Sequence, residues 1–304
     1  MRKVIGVDIG GTNIRLGVVD ESLHLSHFEK SSSAFLRERD SSKKLVDFLR
    51  AYLERYALTD IEAIRIGVPS MVDRDRDYVY RAPNLGGLVE INLATLLSDA
   101  LHMSVAVDRD VNHLLLYDIH ESGLDPRRNK TILGFYIGTG LGNPVWINGN
   151  IYRGKHGVAG ELAHIPLYGE DIACPCGGKG CVEMLASGRA LERIQQRHFP
   201  DTSIGDIFTR HRETEPIRHF IETLSYPLAT EITILDPDLI VLSSGVIGMN
   251  DFPKDELIKE VKKRVKHPVP AEDLEYIFPE TGHENGVIGA AIARFFYEDR
   301  YEEK

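Results

Sequence analysis

Residues 154–183, GKHGVAGELAHIPLYGEDIACPCGGKGCVE, hold all three cysteines of the chain, Cys174, Cys176 and Cys181, with His164 ten residues before the first. Cys-x-Cys-x4-Cys supplies three thiolates on one loop, and Gly177, Gly178 and Gly180 let the backbone fold around an ion. His164 can close a Cys3His shell, the closed tetrahedral kind that structural Zn2+ adopts. The competing reading is three buried free thiols and a surface histidine. Three scattered cysteines rarely fall within eight residues, and soft ligands so grouped favour zinc. A full protein shell leaves no open coordination position, so such a metal positions rather than reacts. What it would position are Glu161 and Glu183, the carboxylates on either side. They are either plain surface charge or, buried near a metal-ordered turn, able each to accept two hydroxyl hydrogen bonds from a polyol, a pattern suited to sugar recognition.

Two further stretches could bind phosphate. In Asp8-Ile9-Gly10-Gly11-Thr12-Asn13 the glycines let phosphate oxygens approach backbone N–H groups, and Thr12 adds a donor. Asp8 could hold water on Mg2+. Gly138-Thr139-Gly140-Leu141-Gly142 is the second such loop. Neither is a Walker loop or a G-x-G-x-x-G fingerprint. Asp108-Arg109-Asp110-Val111-Asn112 follows a strand and opens a helix, where α/β folds place ligands. Asp110 can be read as a base taking a hydroxyl proton or simply as a helix N-cap. Asn84 and Asn112 are polar groups able to bind hydroxyls or to serve turns.

The elements that must position these groups follow from hydrophobic period and punctuation. Residues 3–9 and 14–20 read as a hairpin with a glycine tip, and 23–29 as a third strand. Ser41 and Ser42 are cap candidates for a helix whose buried face is Leu45, Phe48, Leu49, Tyr52, Leu53 and Tyr56. Strands are expected near 61–70, 104–108, 131–142, 238–248 and 274–278. Helices are expected from Asp110, over 188–198 capped by Ser187, over 213–235 despite Pro227, over 255–265, and from 286 to the end. In that last helix Gly286, Gly289, Ala290, Ala291 and Ala293 form a small-residue face permitting close backbone approach. The opening also repeats at an offset of 128: Val4-Ile5-Gly6-Val7 lies over Ile132-Leu133-Gly134-Phe135, and Ile9-Gly10 over Ile137-Gly138. Two such halves would grip a nucleotide's phosphates from both sides.

At 304 residues two cores are expected. A net charge of −10 argues against nucleic acid and anionic membrane as partners. Three cysteines in metal spacing and no apolar run of transmembrane length predict a cytoplasmic protein.

Taken together, DIGGTN (8–13), APNL (82–85), DVN (110–112), GTGLG (138–142), GVAGELAH (157–164), CPCGGKGCVE (174–183), SSGV (243–246) and GVIGAA (286–291) resemble the ROK family of sugar kinases and repressors nearly end to end. The resemblance implies an α/β fold of the duplicated actin-like type (sugar kinase/Hsp70), two domains around a central cleft. Their expected spans are 1–112 with the C-terminal helix 287–304, and 113–286 with the metal loop. It implies a homodimer that transfers the γ-phosphoryl of ATP to the 6-hydroxyl of a hexose. Asp110 falls on the catalytic base, and Asn84, Arg109, Asp110, Glu161, His164 and Glu183 on sugar positions. His164 would serve both the zinc and the sugar. Asp8, Gly10, Gly11, Thr12, Asn13, Gly138, Thr139, Gly140, Gly142 and Gly245 fall on ATP and phosphate positions. Two departures stand out: Arg109 replaces the usual Asn before the base, and Ser243-Ser244 replace glycines of the nucleotide loop. RDVN, VWINGNIYRGKHGVAGELAHIPL and DPDLIVL are more similar to the branch that phosphorylates D-allose than to glucose or N-acetylmannosamine kinases. A sugar-sensing repressor would carry a helix-turn-helix before the DxGGT strand, which here begins at residue 3. A non-catalytic zinc-dependent relative is the other alternative.

Overall fold

The computed structural model describes residues 1–38, 40–82, 85–124 and 130–298. The chain divides into two compact units. One is Met1–Pro126 with Tyr152–Ala159 and Gly282–Lys304, the other Arg127–Ile151 with Gly160–Thr281. In chain order the first unit supplies β1 (Lys3–Ile9), β2 (Asn13–Asp20), β3 (Leu25–Ser32), α1 (Ser41–Arg55), β4 (Ala63–Val68), β5 (Met71–Val72), β6 (Tyr78–Arg81), β7 (Ile91–Asn92), α2 (Leu93–Leu101), β8 (Ser104–Arg109) and α3 (Asp110–Glu121). The second supplies β9 (Thr131–Ile137), β10 (Leu141–Gly142), β11 (Val145–Ile147), β12 (Asn150–Ile151), α4 (Gly188–His198), α5 (Ile207–His211), α6 (Glu215–Leu235), β13 (Leu239–Ser243), α7 (Lys254–Arg264) and β14 (Tyr276–Ile277). The chain then returns to the first unit with α8 (Asn285–Ile292), which continues into a π-helical turn, Ala293–Tyr297.

In the first unit the sheet order is β3-β2-β1-β4-β8. β1 pairs antiparallel with β2 and parallel with β4, and β4 pairs parallel with β8. The run of β-branched residues suits β1, which is covered on both faces, so Val4, Ile5, Val7 and Ile9 are all fully buried. Gly6 interrupts the run because α8 crosses there. A Cβ on Gly6 would lie 2.0 Å from the carbonyl oxygen of Val287. On its other side α8 presses on α3, where a Cβ on Gly289 would lie 2.0 Å from the carbonyl oxygen of His113. The small-residue face of this helix thus serves close approach, as its sequence predicts. α1 buries Leu45, Val46, Leu49 and Tyr52 against the sheet, as its periodicity requires. Its expected serine cap is not made. Asp40 precedes the helix in left-handed conformation, and Ser41 is its buried first residue.

The second sheet runs β12-β11-β9-β13-β14, with β10 also on β9. Here β9 pairs antiparallel with β11 and parallel with β13, the same plan as around β1. α6 runs unbroken through Pro227 and buries Ile217, Phe220, Ile221, Leu224, Leu228 and Ile232 in this unit's own core. Ser187 caps α4 as expected, its Oγ accepting the Ala190 N–H at 3.3 Å. None of the described helices is long and apolar enough to cross a membrane.

Candidate functional site

The first unit gathers carboxylates at the carboxyl ends of β1 and β8. Asp8 lies near the end of β1 and faces Arg15 across the β1–β2 pair, with Nη1 donating to Oδ2 at 3.0 Å. Gly286 makes room for that carboxyl, since a Cβ there would lie 2.8 Å from Asp8 Cγ. Burial pushes the Asp8 carboxyl up, and the Arg15 guanidinium pulls against it. The tip after it is closed by Gly10 N–H donating to Asn13 O at 2.8 Å. Ser33 Oγ donates to Gly10 O at 2.8 Å, and Arg37 donates to Gly11 O.

Asp110 is the first residue of α3, and the cap is Arg109, so the carboxyl is not spent as an N-cap. Its Oδ1 accepts the adjacent Val111 N–H at 2.8 Å. Gly67 at the end of β4 lets this turn close in: a Cβ there would lie 3.1 Å from Asp110 Cα. Burial first, and then the like charge of Asp8, push the Asp110 carboxyl up to about 7. A carboxyl with that midpoint is half ionised at neutral pH and suited to accept a proton in a reaction. Arg109 is buried, and its Nη1 donates to Ala159 O at 2.6 Å. Asn112 is buried too and donates from Nδ2 to Asp108 Oδ1 at 2.6 Å. Asn84 lies outside the described residues.

In the second unit the glycine loop 138–142 is folded by Gly138 N–H donating to Gly140 O at 3.0 Å. The first turn of α4 holds it from behind, with Gly188 N–H on Gly138 O at 2.8 Å. Glu183 reaches this loop. Its Oε2 accepts the Leu141 N–H at 3.2 Å, in the space that a Cβ on Gly140 would fill. Ser244, after β13, stands at φ 84°, a left-handed value that glycine adopts at no cost. Gly245 beside it is exposed with open space around its Cα.

His164, Cys174, Cys176 and Cys181 come together as the sequence predicts, their ligand atoms all within 4.8 Å of one another. Cys174 Sγ lies 3.7 Å from His164 Nδ1, and Cys176 Sγ 3.6 Å from Cys181 Sγ. Edges of a tetrahedral zinc shell with bonds near 2.0–2.3 Å are about 3.5–3.8 Å, so the four residues fit that ion. Antiparallel pairing of the 165–167 and 180–182 segments places Cys181 beneath His164, with Val182 N–H on Ile165 O at 3.1 Å. Left-handed Gly177 and Gly180 turn the loop between. Burial, then the neighbouring thiols, push the Cys181 thiol up to about 12. The ion-free cluster therefore keeps protons that a bound cation must displace. With Nδ1 turned to the cluster, His164 Nε2 faces Glu161 Oε2 at 3.7 Å.

Three features had no clear signal in the sequence. Arg15 is one strand away from Asp8, Arg153 donates to Asp108, and buried Glu231 accepts from Asn143 Nδ2 at 2.8 Å. Only the DIGGTN-to-Arg15 alternation could have pointed to the first.

The sequence model of the ROK family matches residues 4–294. An N-acetyl-D-glucosamine kinase of Yersinia pseudotuberculosis is 29% identical, over 94% of this chain and 97% of that protein. A glucokinase of Streptomyces coelicolor is also 29% identical, over 96% of this chain and 97% of its own length. Among solved structures, a ROK family glucokinase from Streptomyces griseus in complex with glucose and AMPPNP superposes with a TM-score of 0.77 at 27% identity, covering 95% of this chain and 98% of that one. The ROK hexokinase from Thermus thermophilus gives the same TM-score at 26% identity, over 99% of both chains. With a match that spans almost every element described above, the chain belongs to the ROK family.

Proposed function

We propose that the protein is an ATP-dependent hexose kinase that phosphorylates the 6-hydroxyl of its sugar, with D-allose as the first substrate to try. The observation that carries the reading is Asp110, a carboxyl at the mouth of a helix, pushed up to about 7 by burial and Asp8. Such a group takes the hydroxyl proton as the oxygen attacks the γ-phosphorus and ADP leaves, while the glycine-rich loop 8–13 of the same unit offers backbone N–H groups to phosphate. Family membership and kinase relatives over nearly the whole length support the reaction class. The choice of D-allose rests on the RDVN and VWINGNIYRGKHGVAGELAHIPL stretches, and glucose and N-acetylated hexosamines belong in the same test.

ATP enters as its Mg2+ complex, and Asp8 is the carboxylate on the first loop that would hold the ion's water shell. Zn2+ held by His164, Cys174, Cys176 and Cys181 would fix the loop that carries Glu161 and Glu183 toward sugar hydroxyls. His164 Nε2, on the ring edge away from the cluster and facing Glu161, would donate to the same sugar. Asn84 and Arg109 complete the proposed sugar set, and Gly245 the nucleotide set. A homodimer is the proposed assembly.

The test is hexose-dependent ATP consumption over a panel including D-allose, D-glucose, N-acetylglucosamine and N-acetylmannosamine. Turnover with one of these is expected, reduced by about 10²–10⁴-fold in Asp110→Asn with sugar binding retained. Substantial turnover in Asp110→Asn would sink the base assignment. Zinc content by mass spectrometry is expected at one ion per chain and lowered in Cys176→Ser.

A further inference from the structure

We propose that Arg153 is a positioning residue for the base. By neutralising buried Asp108 it lets that carboxylate pin the first turn of α3 and so aim Asp110. The inference rests on the kinase reading above.

Asp108 sits at the end of β8, two residues before Asp110, and is 4% exposed. Its Oδ1 accepts the Arg109 N–H at 2.8 Å and Asn112 Nδ2 at 2.6 Å, gripping both ends of the first turn of α3. Its Oδ2 accepts from Arg153 Nη2. A carboxylate buried this deeply stays charged only if a cation joins it. Burial opposes its charge, but Arg153, helped by Arg76, holds its carboxyl well below the usual carboxylate range. Arg153 comes from the strap Tyr152–Ala159, which belongs to the first unit although the residues on either side of it belong to the second. The strap is clasped in both directions: Arg153 reaches Asp108, and Arg109 Nη1 reaches back to Ala159 O at 2.6 Å. Left-handed Gly157 lets it lie flat, since a Cβ there would stand 2.0 Å from Val72 O. Arg109, the residue in place of the family's asparagine, thus has a clasping partner on the strap.

Asp110 takes its direction from that turn, its Oδ1 resting on the Val111 N–H at 2.8 Å. If Arg153 is lost, Asp108 keeps only the weaker charge support of Arg76 or takes a proton, and its grip on Arg109 and Asn112 changes. A shift of about 1 Å in a reacting group costs on the order of 100-fold in rate.

The experiment compares steady-state kinetics of the full chain with MgATP and its best hexose for wild type, Arg153→Met, Arg153→Lys, and Arg153→Met combined with Asp108→Asn. Arg153→Met is expected to lose about 100-fold in kcat with KM for ATP changed less than about threefold. Arg153→Lys is expected to recover most of the loss. The double variant is expected to regain at least about tenfold over Arg153→Met, because the amide leaves no charge to neutralise while its oxygen still accepts from Arg109 N–H. A merely structural lesion would add to the first and lower activity further. If Arg153→Met fails to fold, the lysine and double variants carry the same comparison. An active wild type whose double variant regains nothing overturns this inference and leaves the kinase reading intact. A wild type with no hexose-dependent turnover overturns both.

Discussion

β1 and β9 hold the same place in two sheets built to one plan, and the two sheets are finished differently. Each central strand has an antiparallel hairpin partner on one side and a parallel crossover strand on the other. Around β1 the hairpin partner is an unbroken eight-residue strand, and a charged pair, Asp8 with Arg15, bridges its tip. Around β9 the partner breaks at Asn143–Pro144 into Leu141–Gly142 and Val145–Ile147. There Asn143 turns inward, donating to Gly134 O at 2.9 Å and to Glu231 Oε2 at 2.8 Å. One half thus gathers its acids at the sheet's carboxyl edge. The other keeps an acid in its core and holds its edge with a metal-type loop. A duplicated backbone does not duplicate chemistry: it supplies two tips, and the side chains divide the work.

The matched glycines offer the sharpest way to break that comparison. Gly6 and Gly134 are repeat partners, but their surroundings differ. A Cβ at 6 meets helix backbone, Val287 O at 2.0 Å, whereas at 134 it meets the Tyr136 ring at 2.8 Å and the Pro144 ring at 2.9 Å. Backbone cannot step aside, and side chains partly can. Gly6→Ala is expected to cost at least about 3 kcal/mol, and Gly134→Ala about 1–2 kcal/mol, by urea denaturation. Equal costs would mean that the two halves are packed alike after all.

Two acids with the same midpoint sharpen it further. Burial pushes the Glu231 carboxyl up to about 7, with the Asn143 hydrogen bond pulling the other way. Its folded midpoint lies above its unfolded one, so the native state holds the extra proton between pH 4.5 and 7. Stability from this group is full below pH 4.5, falls as pH rises, and is gone above 7, a loss on the order of 3 kcal/mol. Glu231→Gln keeps an acceptor for Asn143 and cannot ionise. The variant is expected to flatten the pH dependence of stability in that window by about this amount, read from urea midpoints at pH 5 and 8. A wild-type slope that survives the substitution would place the titration elsewhere.

How much of this was legible in the sequence depends on the range of the interaction. The offset of 128 showed the duplicated strands because apolar and glycine positions repeat locally, and Cys-x-Cys-x4-Cys showed the metal-type cluster for the same reason. The glycine–alanine face of α8 also carried its meaning, since only close backbone approach needs it. Arg153 on Asp108 and Glu231 on Asn143 did not show, because those partners lie 45 and 88 residues apart. No period or spacing encodes such pairs. From spacing alone Asp110 looked more like a cap than a base. The fold gives the cap to Arg109 and makes Asp110 the first residue of α3, which no local spacing showed.

In the first half, Asp110 should report its midpoint in rate as well as in stability. As the base it must be ionised, so kcat/KM for the hexose is expected to fall below pH about 7 with a slope of one. Asp8→Asn removes a like charge and leaves Arg15 without its partner, so the limb should move to lower pH, whatever happens to the absolute rate. A limb that stays in place would mean that Asp8 does not act on the base.

The smallest expected effect concerns the two glycine-rich tips. The first tip meets its turn with glycines, whereas beside the second, Ser244 is held at φ 84°. A side chain in left-handed conformation costs roughly 1 kcal/mol, and glycine there gives back part of that through the greater freedom of its unfolded chain. Ser244→Gly is therefore expected to stabilise the protein by about 0.5–1 kcal/mol. Gly245→Ser, at a position without positive φ and with open space for a Cβ, is expected to change little. Urea midpoints of the two variants read the difference directly. If Ser244→Gly destabilises instead, the hydroxyl contributes more than the strain costs.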